Sequence, residues 1–430
     1  MALSRRELIG KGALFVASGF LAPSFLTRTA LALDPAAAIA NGLGGLDPSK
    51  KDKILVVIQL SGGNDGINTV VPFGDASYAG LRPQIAVKPE EALKLADGVG
   101  LHPQMTKLKG LYDQGKVAVV QGVGYPNPNR SHFRSMDIWH SARPDAFEAS
   151  GWLGRYLASC ECSQEGVLPA VSVGDQLNTM FWTETTLVPS VGNIGAFSFL
   201  TDTKYKNDRT FQLQTMKAIY DQAGTWSQHE ALIRAGTQKA LDGSDRLQQV
   251  AASYKSPVQY PGNNGLANQL KMVAQVIGGN LGSRLFSVSM GGFDTHANQA
   301  GSHGNSLKQF SEAVDAFQAD LTQMKKADNV VIMTFSEFGR RAKQNGSNGT
   351  DHGSAAPMFV IGNSVKGGLY GSYPSLSSLD NNGDIKFGAD FRSVYAGLLK
   401  DQLGADPTKV LAGSFPPIAM LQSSPAGGAA

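Results

Sequence analysis

Carboxylates and imidazoles recur in five separated stretches of this chain. SGGNDG at 61–66 carries Asn64 and Asp65, and RSHF at 130–133 carries Arg130, Ser131 and His132. GGFDTHANQ at 291–299 carries Asp294 and His296, with His303 close behind. Glu337 follows TFS at 334–336, and the pair Asp351-His352 stands just before the apolar run PMFVIG. Four of the seven histidines lie in or beside these stretches. Mixed oxygen and nitrogen donors suit divalent ions, with imidazole favouring Zn²⁺ and carboxylate favouring Mn²⁺, Mg²⁺ or Ca²⁺. The chemistry open to such a set is metal-assisted displacement at an ester, in which ions clamp the attacking and leaving oxygens.

Each residue also has a plainer reading. Asp65 after two glycines can be a turn residue or a cap, and Asp294 in DTH can cap backbone N–H groups. Ser131 ahead of a helix can be an N-cap rather than a nucleophile. Glu337 can pair with Arg340 or Arg341 on the next turn. What the plain readings do not explain is the shared location.

That location is set by buried strands. KILVVIQL (53–60), KVAVVQGVG (116–124), SRLFSVSMGG (283–292), VVIMTF (330–335) and PMFVIG (357–362) are apolar runs of strand length. Continuous apolar strands alternating with helices argue a mostly parallel sheet covered on both faces. The segment 305–327 has apolar residues at 307, 310, 314, 317, 321 and 324, the spacing of an amphipathic helix. In an open α/β sheet the chemistry collects in loops at the carboxyl ends of the strands, where these polar stretches fall. Residues 175–280 read instead as polar helices, either a helical cap inserted into the sheet domain or surface helices on one face.

The chain has 430 residues, net charge +3 and 17% charged residues of both signs. That balance lacks the basic footprint of a nucleic-acid binder. At the N-terminus, Arg5-Arg6 after Ser4, an apolar stretch broken by Gly and Pro, and Ala30-Leu31-Ala32 read as a twin-arginine signal peptide over 1–32. The stretch is too short and broken for a permanent membrane span. The expectation is therefore a periplasmic or secreted protein that uses the twin-arginine export machinery. An Ala, Gly and Pro-rich linker over 33–50 precedes a domain over 51–420 that includes the helical segment, and a disordered tail over 421–430 follows. Cys160 and Cys162, the only cysteines, are too few for a tetrahedral zinc site and receive no role.

LSGGNDGINTVVP, RSHF, GGFDTHANQ, TFSEFGRR, GTDHGSAAPMFVIG, VKGGLYG and DFRSVYAGLL, in this order over about 54 to 415, resemble an exported bacterial family. It is known as domain of unknown function 1501, within the alkaline-phosphatase-like superfamily. The resemblance implies an α/β/α sandwich with one or two divalent ions (Zn, Mn, Mg or Ca) at the strand ends. It implies Asp65, Asp294, His296, Glu337 and His352 as ligands and Ser131 as nucleophile. Arg130 would steady the ester's nonbridging oxygens, and Asn64, His132, His303 and Asp351 would support. Where two-ion members carry histidine after the strand-end acid, this chain has Phe338. Either a second ion has other ligands, with His132 or Asp351 filling in, or one ion binds. The implied function is hydrolysis of a phosphate or sulfate ester, small or polymeric. The alternative is a noncatalytic envelope or polysaccharide-associated protein with a partly decayed metal site.

Overall fold

A computed structural model describes residues 47–160, 168–183, 188–193, 206–220, the single positions 234, 243, 246, 247, 249 and 250, and 253–422. The signal-peptide reading, most of the linker, much of the 175–280 segment, Cys162 and most of the tail lie outside the described residues. Cys160 is disulfide-bonded.

Among the described residues the central sheet has nine strands: β1 (Ile54–Leu60), β2 (Val117–Gly124), β3 (Ala170–Val173), β4 (Ser190–Val191), β5 (Leu285–Met290), β6 (Val330–Phe335), β7 (Ala356–Ile361), β8 (Gly368–Tyr370) and β9 (Ala389–Asp390). Their order is β8-β2-β7-β6-β1-β5-β3-β4, with β9 also on β2. Every pairing is parallel except those of β7, which runs antiparallel to β2 and β6. The α/β/α sandwich around a mostly parallel sheet, expected from the continuous apolar runs, is the fold observed.

Alternation within each strand divides the core in two. Val56, Ile58, Phe286, Val288 and Ile332 face helices α1 (Thr106–Asp113), α5 (Gly265–Gly278) and α6 (Gln299–Gln323). Leu55, Val57, Val331, Met333 and Val360 face α2 (His132–Ser141), α3 (Trp152–Ser159) and α7 (Phe391–Asp401). Helix α4 (Lys206–Tyr220) belongs to the polar middle of the chain. Helix α5 lies within 175–280 but is no outlying cap: Leu266, Leu270, Val273 and Ile277 are buried in the sheet's core. Among the described residues, no helix is long and apolar enough to cross a membrane.

Three buried histidines stay neutral in this interior. Burial depresses His140 to about 3, and His102 and His303 to about 4. His140 sits between the Gln59 side-chain oxygen (3.0 Å) and the Thr179 hydroxyl (2.5 Å), partners that suit a neutral ring. An unfolded chain protonates these rings below about 6.5, whereas the folded chain resists until about 4 or 3. The unfolded state therefore binds more protons across that window, and stability falls as pH falls. Each histidine is expected to contribute about 1.4 kcal/mol per pH unit to the slope. Denaturant unfolding of His140→Gln should show a slope shallower by that amount between pH 6 and 4. An unchanged slope would show that His140 is not held neutral.

Candidate metal centre

Four strand ends converge at one edge of the sheet, and the antiparallel course of β7 brings its first residue to the same edge. The loop after β1 makes the approach close. Gly62 (φ +118) and Gly63 (φ +77) adopt left-handed backbone. A Cβ on Gly62 would stand 2.4 Å from the Asp294 backbone nitrogen, and one on Gly63 would stand 2.3 Å from the Phe338 ring. Only glycine lets the loops after β1, β5 and β6 touch here.

Three imidazoles point into the resulting space. Nδ1 of His132 is 2.7 Å from Glu337 Oε1, Nδ1 of His352 is 2.9 Å from the Arg130 carbonyl, and Nδ1 of His296 is 3.3 Å from Asp351 Oδ1. All three rings turn Nε2 towards Asp294: His296 at 3.0 Å and His352 at 3.2 Å from Oδ1, and His132 at 3.6 Å from Oδ2. A carbonyl only accepts, so Nδ1 of His352 carries the hydrogen. Assigned from the same hydrogen-bond network, His132 and His296 take that tautomer on their carboxylates. The Nε2 lone pairs are then left facing inwards.

This donor chemistry fits a cation. Nε2 of His296 and His352 are 3.0 Å apart and lie beside a carboxylate oxygen; Arg340, 2.6 Å from that oxygen and 3.5 Å from His296 Nε2, answers part of this electron-rich grouping, and a cation among the nitrogens would answer the rest. Donor atoms of His132, Asp294 and His352 all lie within 4.8 Å of one another. Burial is the largest influence on His352 and holds it below its ordinary value, in keeping with a neutral ring whose one N–H is on Nδ1. At Asp294 burial pushes the carboxyl up, but the Arg340 guanidinium, through its hydrogen bond and its charge, outweighs it and the carboxyl is held at about 2. A ring nitrogen anchored by an oxygen on its far side is the usual arrangement of a metal-ligating histidine.

The expected residues divide into two groups. Asp294, His296 and His352 form the cluster, and His132, expected as a support or a fill-in ligand, joins them. Glu337 is 1% exposed and accepts from the Gly62 N–H (2.8 Å) as well as His132, so it stands behind the ring. Asp351 likewise holds His296 and accepts from the Asn345 amide at 3.1 Å.

Asp65 lies apart. It caps the short helix Gly66–Thr69, and its Oδ2 receives Arg82 at 2.5 Å and the Gln299 amide. Both Asp65 and Arg82 have no exposed side-chain surface. Asn64 and His303 are buried near it, joined at 2.9 Å. The guanidinium of Arg130 lies 2.6 Å from Asp384. Ser131 is the N-cap residue of α2, but its exposed hydroxyl makes no capping hydrogen bond.

One contributor escapes sequence reasoning. Arg340, weighed there only as a partner for Glu337, is buried and donates to Asp294 Oδ1 at 2.6 Å and to the carbonyls of Gly62, Gly63, Phe293 and Thr350. Its place three residues after the strand-end acid is the one available signal. Phe338, also buried, packs its ring 4.5 Å from His352 and 4.9 Å from His132. It fills the space beside the imidazoles with hydrocarbon. An open cleft of about 420 Å³ leads to His132 and Asp294 and is lined also by Gly62, Gly292, Met136 and the 87% exposed Phe133.

Residues 52–412 match the family described as "Protein of unknown function (DUF1501)". No curated protein matches the chain. Among solved structures it is similar to a protein in the alkaline phosphatase superfamily from Vibrio parahaemolyticus, at 10% identity and TM-score 0.38, covering 92% of this chain and 79% of that one. It is also similar to the C-terminal periplasmic domain of EcEptC from Escherichia coli in complex with Zn, at 11% identity and TM-score 0.39, covering 86% and 90%. For alkaline phosphatase from the Antarctic bacterium TAB5 the values are 13%, 0.29, 74% and 94%.

Proposed function

The chain belongs to the DUF1501 family, and from its strand-end cluster we propose that it is an exported metal-dependent hydrolase of phosphate or sulfate esters. One observation carries this reading: three histidines, each anchored through Nδ1 to an oxygen, direct Nε2 at a single carboxylate. A nitrogen-rich set of this kind favours Zn²⁺ over Mg²⁺ or Ca²⁺. One ion is proposed, because Asp65 is occupied by Arg82 and the place beside Glu337 is taken by Phe338.

When bound, the ion would supply Lewis acidity towards an ester oxygen. The remaining work falls to the chain. His132, His296, His352 and Asp294 hold the ion, and Arg340 keeps Asp294 ionised. Ser131, with a hydroxyl free of capping duty at the N-terminus of α2, is the proposed nucleophile. Arg130 is committed to Asp384, so stabilisation of nonbridging oxygens is not assigned to it. The cleft beside Phe133 and Met136 would receive the group that leaves. Export rests on the Arg5-Arg6 pattern within residues 1–32.

Elemental analysis of the purified chain is expected to find one equivalent of transition metal, and aryl phosphates or sulfates are expected to be hydrolysed until the metal is chelated. Glu337→Gln, which weakens the anchor of His132, should lower metal affinity by about 10- to 100-fold. A chain with no tightly held metal and no turnover would leave the noncatalytic reading in its place. The buried Asp65–Arg82 pair, which takes the acid after the first strand away from any ion, is the observation on that side.

A further inference from the structure

Asp384 takes no part in the cluster, yet it is buried without exposed surface in the loop between β8 and β9. The loop closes on itself tightly. Asp380 Oδ1 accepts the backbone N–H groups of Asn382 and Asp384, each at 2.8 Å, and Gly383 takes the left-handed backbone (φ +79) the turn needs. This presents the Asp384 carboxylate to two arginines, Arg130 at 2.6 Å and Arg341 at 3.9 Å. The next residue of the loop is tied down as well, since Ser354 Oγ donates to the Ile385 carbonyl at 2.5 Å.

Every segment the loop grips continues into the metal centre. Arg130 stands two residues before His132, and its carbonyl accepts from His352 Nδ1 at 2.9 Å. Arg341 follows Arg340, and its backbone N–H donates to the Asp351 carbonyl at 3.0 Å, beside the bridge between Arg340 and His352. Ser354 stands two residues after His352. Fixing the Arg130 side chain therefore fixes the carbonyl that sets the tautomer and ring angle of His352.

We infer that Asp384 is a positioning residue for this centre: its carboxylate holds Arg130, and the Arg130 carbonyl holds the His352 ring with Nε2 facing Asp294. The inference rests on the metal-centre reading. An isolated buried carboxylate between two guanidinium groups would otherwise be only a structural ion pair. What distinguishes it is that its partner's backbone carbonyl accepts a hydrogen bond directly from a metal-facing ring. Outer partners of this kind control ligand orientation, and losing one weakens metal affinity by about 10- to 100-fold.

The test uses full-length protein, Zn²⁺ affinity by chelator competition, and the visible absorption of the Co²⁺-loaded chain. Asp384→Asn is expected to weaken Zn²⁺ binding 10- to 100-fold and to alter the Co²⁺ bands, with Asp384→Glu restoring much of both. Arg130→Gln approaches the link from a partly exposed side chain and should give the same loss if Asp384→Asn does not fold. A purely structural ion pair would lower the unfolding temperature of the metal-free protein while leaving Co²⁺ bands and Zn²⁺ affinity as in the wild type. That outcome overturns the inference alone. A wild-type chain that takes up no Zn²⁺ overturns the metal-centre reading together with it.

Discussion

Asp294→Asn is expected to abolish tight metal binding and reduce ester turnover to background while the protein remains folded. Among the described residues, Asp294 is the one carboxylate within 3.6 Å of all three Nε2 atoms. It is also the counter-charge of Arg340, 2.6 Å away and without exposed side-chain surface. An asparagine oxygen can still accept from Arg340, so the scaffold keeps its hydrogen bond. What disappears is the negative charge between a guanidinium and a dication, and the two cations then repel in a partly buried setting. A loss of at least a hundredfold in affinity, about 2.8 kcal/mol, is the expected scale. Calorimetric titration with Zn²⁺ beside metal analysis reads it. Retention of one equivalent at wild-type affinity would remove Asp294 from the centre.

Asp65→Asn should give the opposite signature. Asp65 and Arg82 form an ion pair at 2.5 Å with no side-chain exposure on either partner. Burial alone would raise the Asp65 carboxyl, but Arg82 outweighs it and the value is lowered. Removing one charge from a buried pair leaves the other uncompensated and costs about 3–5 kcal/mol. Denaturant unfolding should show that loss, while metal content stays at the wild-type value. If metal disappears and stability does not, Asp65 is a ligand after all, and the pairing with Arg82 would have to open.

The contrast between these two aspartates marks where sequence legibility stops. Both follow glycine-rich turns at strand ends, and a strand-end rule treats them alike. They are separated by Arg82 and Gln299, which stand 17 and 234 residues from Asp65; Arg82 lies in none of the strand-end stretches, and Gln299 closes GGFDTHANQ with nothing in the sequence tying it to Asp65. The same holds for Asp384, which reaches Arg130 from the far end of the chain. The longer strands were readable because burial on both faces leaves an unbroken apolar run. β1, β2, β5, β6 and β7 fall within about two residues of the runs at 53–60, 116–124, 283–292, 330–335 and 357–362. β4 and β9 have two residues each and β8 three, too few to show any pattern. Helix α6 begins at Gln299 rather than near 305, and the left-handed backbone of Asn298 (φ +46) marks its start. The place of His132 beside Asp294 was less legible, because it depends on Glu337 holding the ring, which is a matter of geometry and not of spacing.

The antiparallel course of β7 has a consequence for the order in which the centre assembles. Met333 pairs with Val360 and Ile332 with Ile361, so β6 and β7 form a hairpin-like unit whose loop carries Glu337 and His352 at its two ends. Closing that loop spans few residues and costs little chain entropy, whereas the Glu337–His132 contact bridges 205 residues. Half of the centre is thus a local product of one strand pair, available early in folding. The other half arrives only when the sheet has closed around β1, so a complete set of inward-facing nitrogens reports a finished fold.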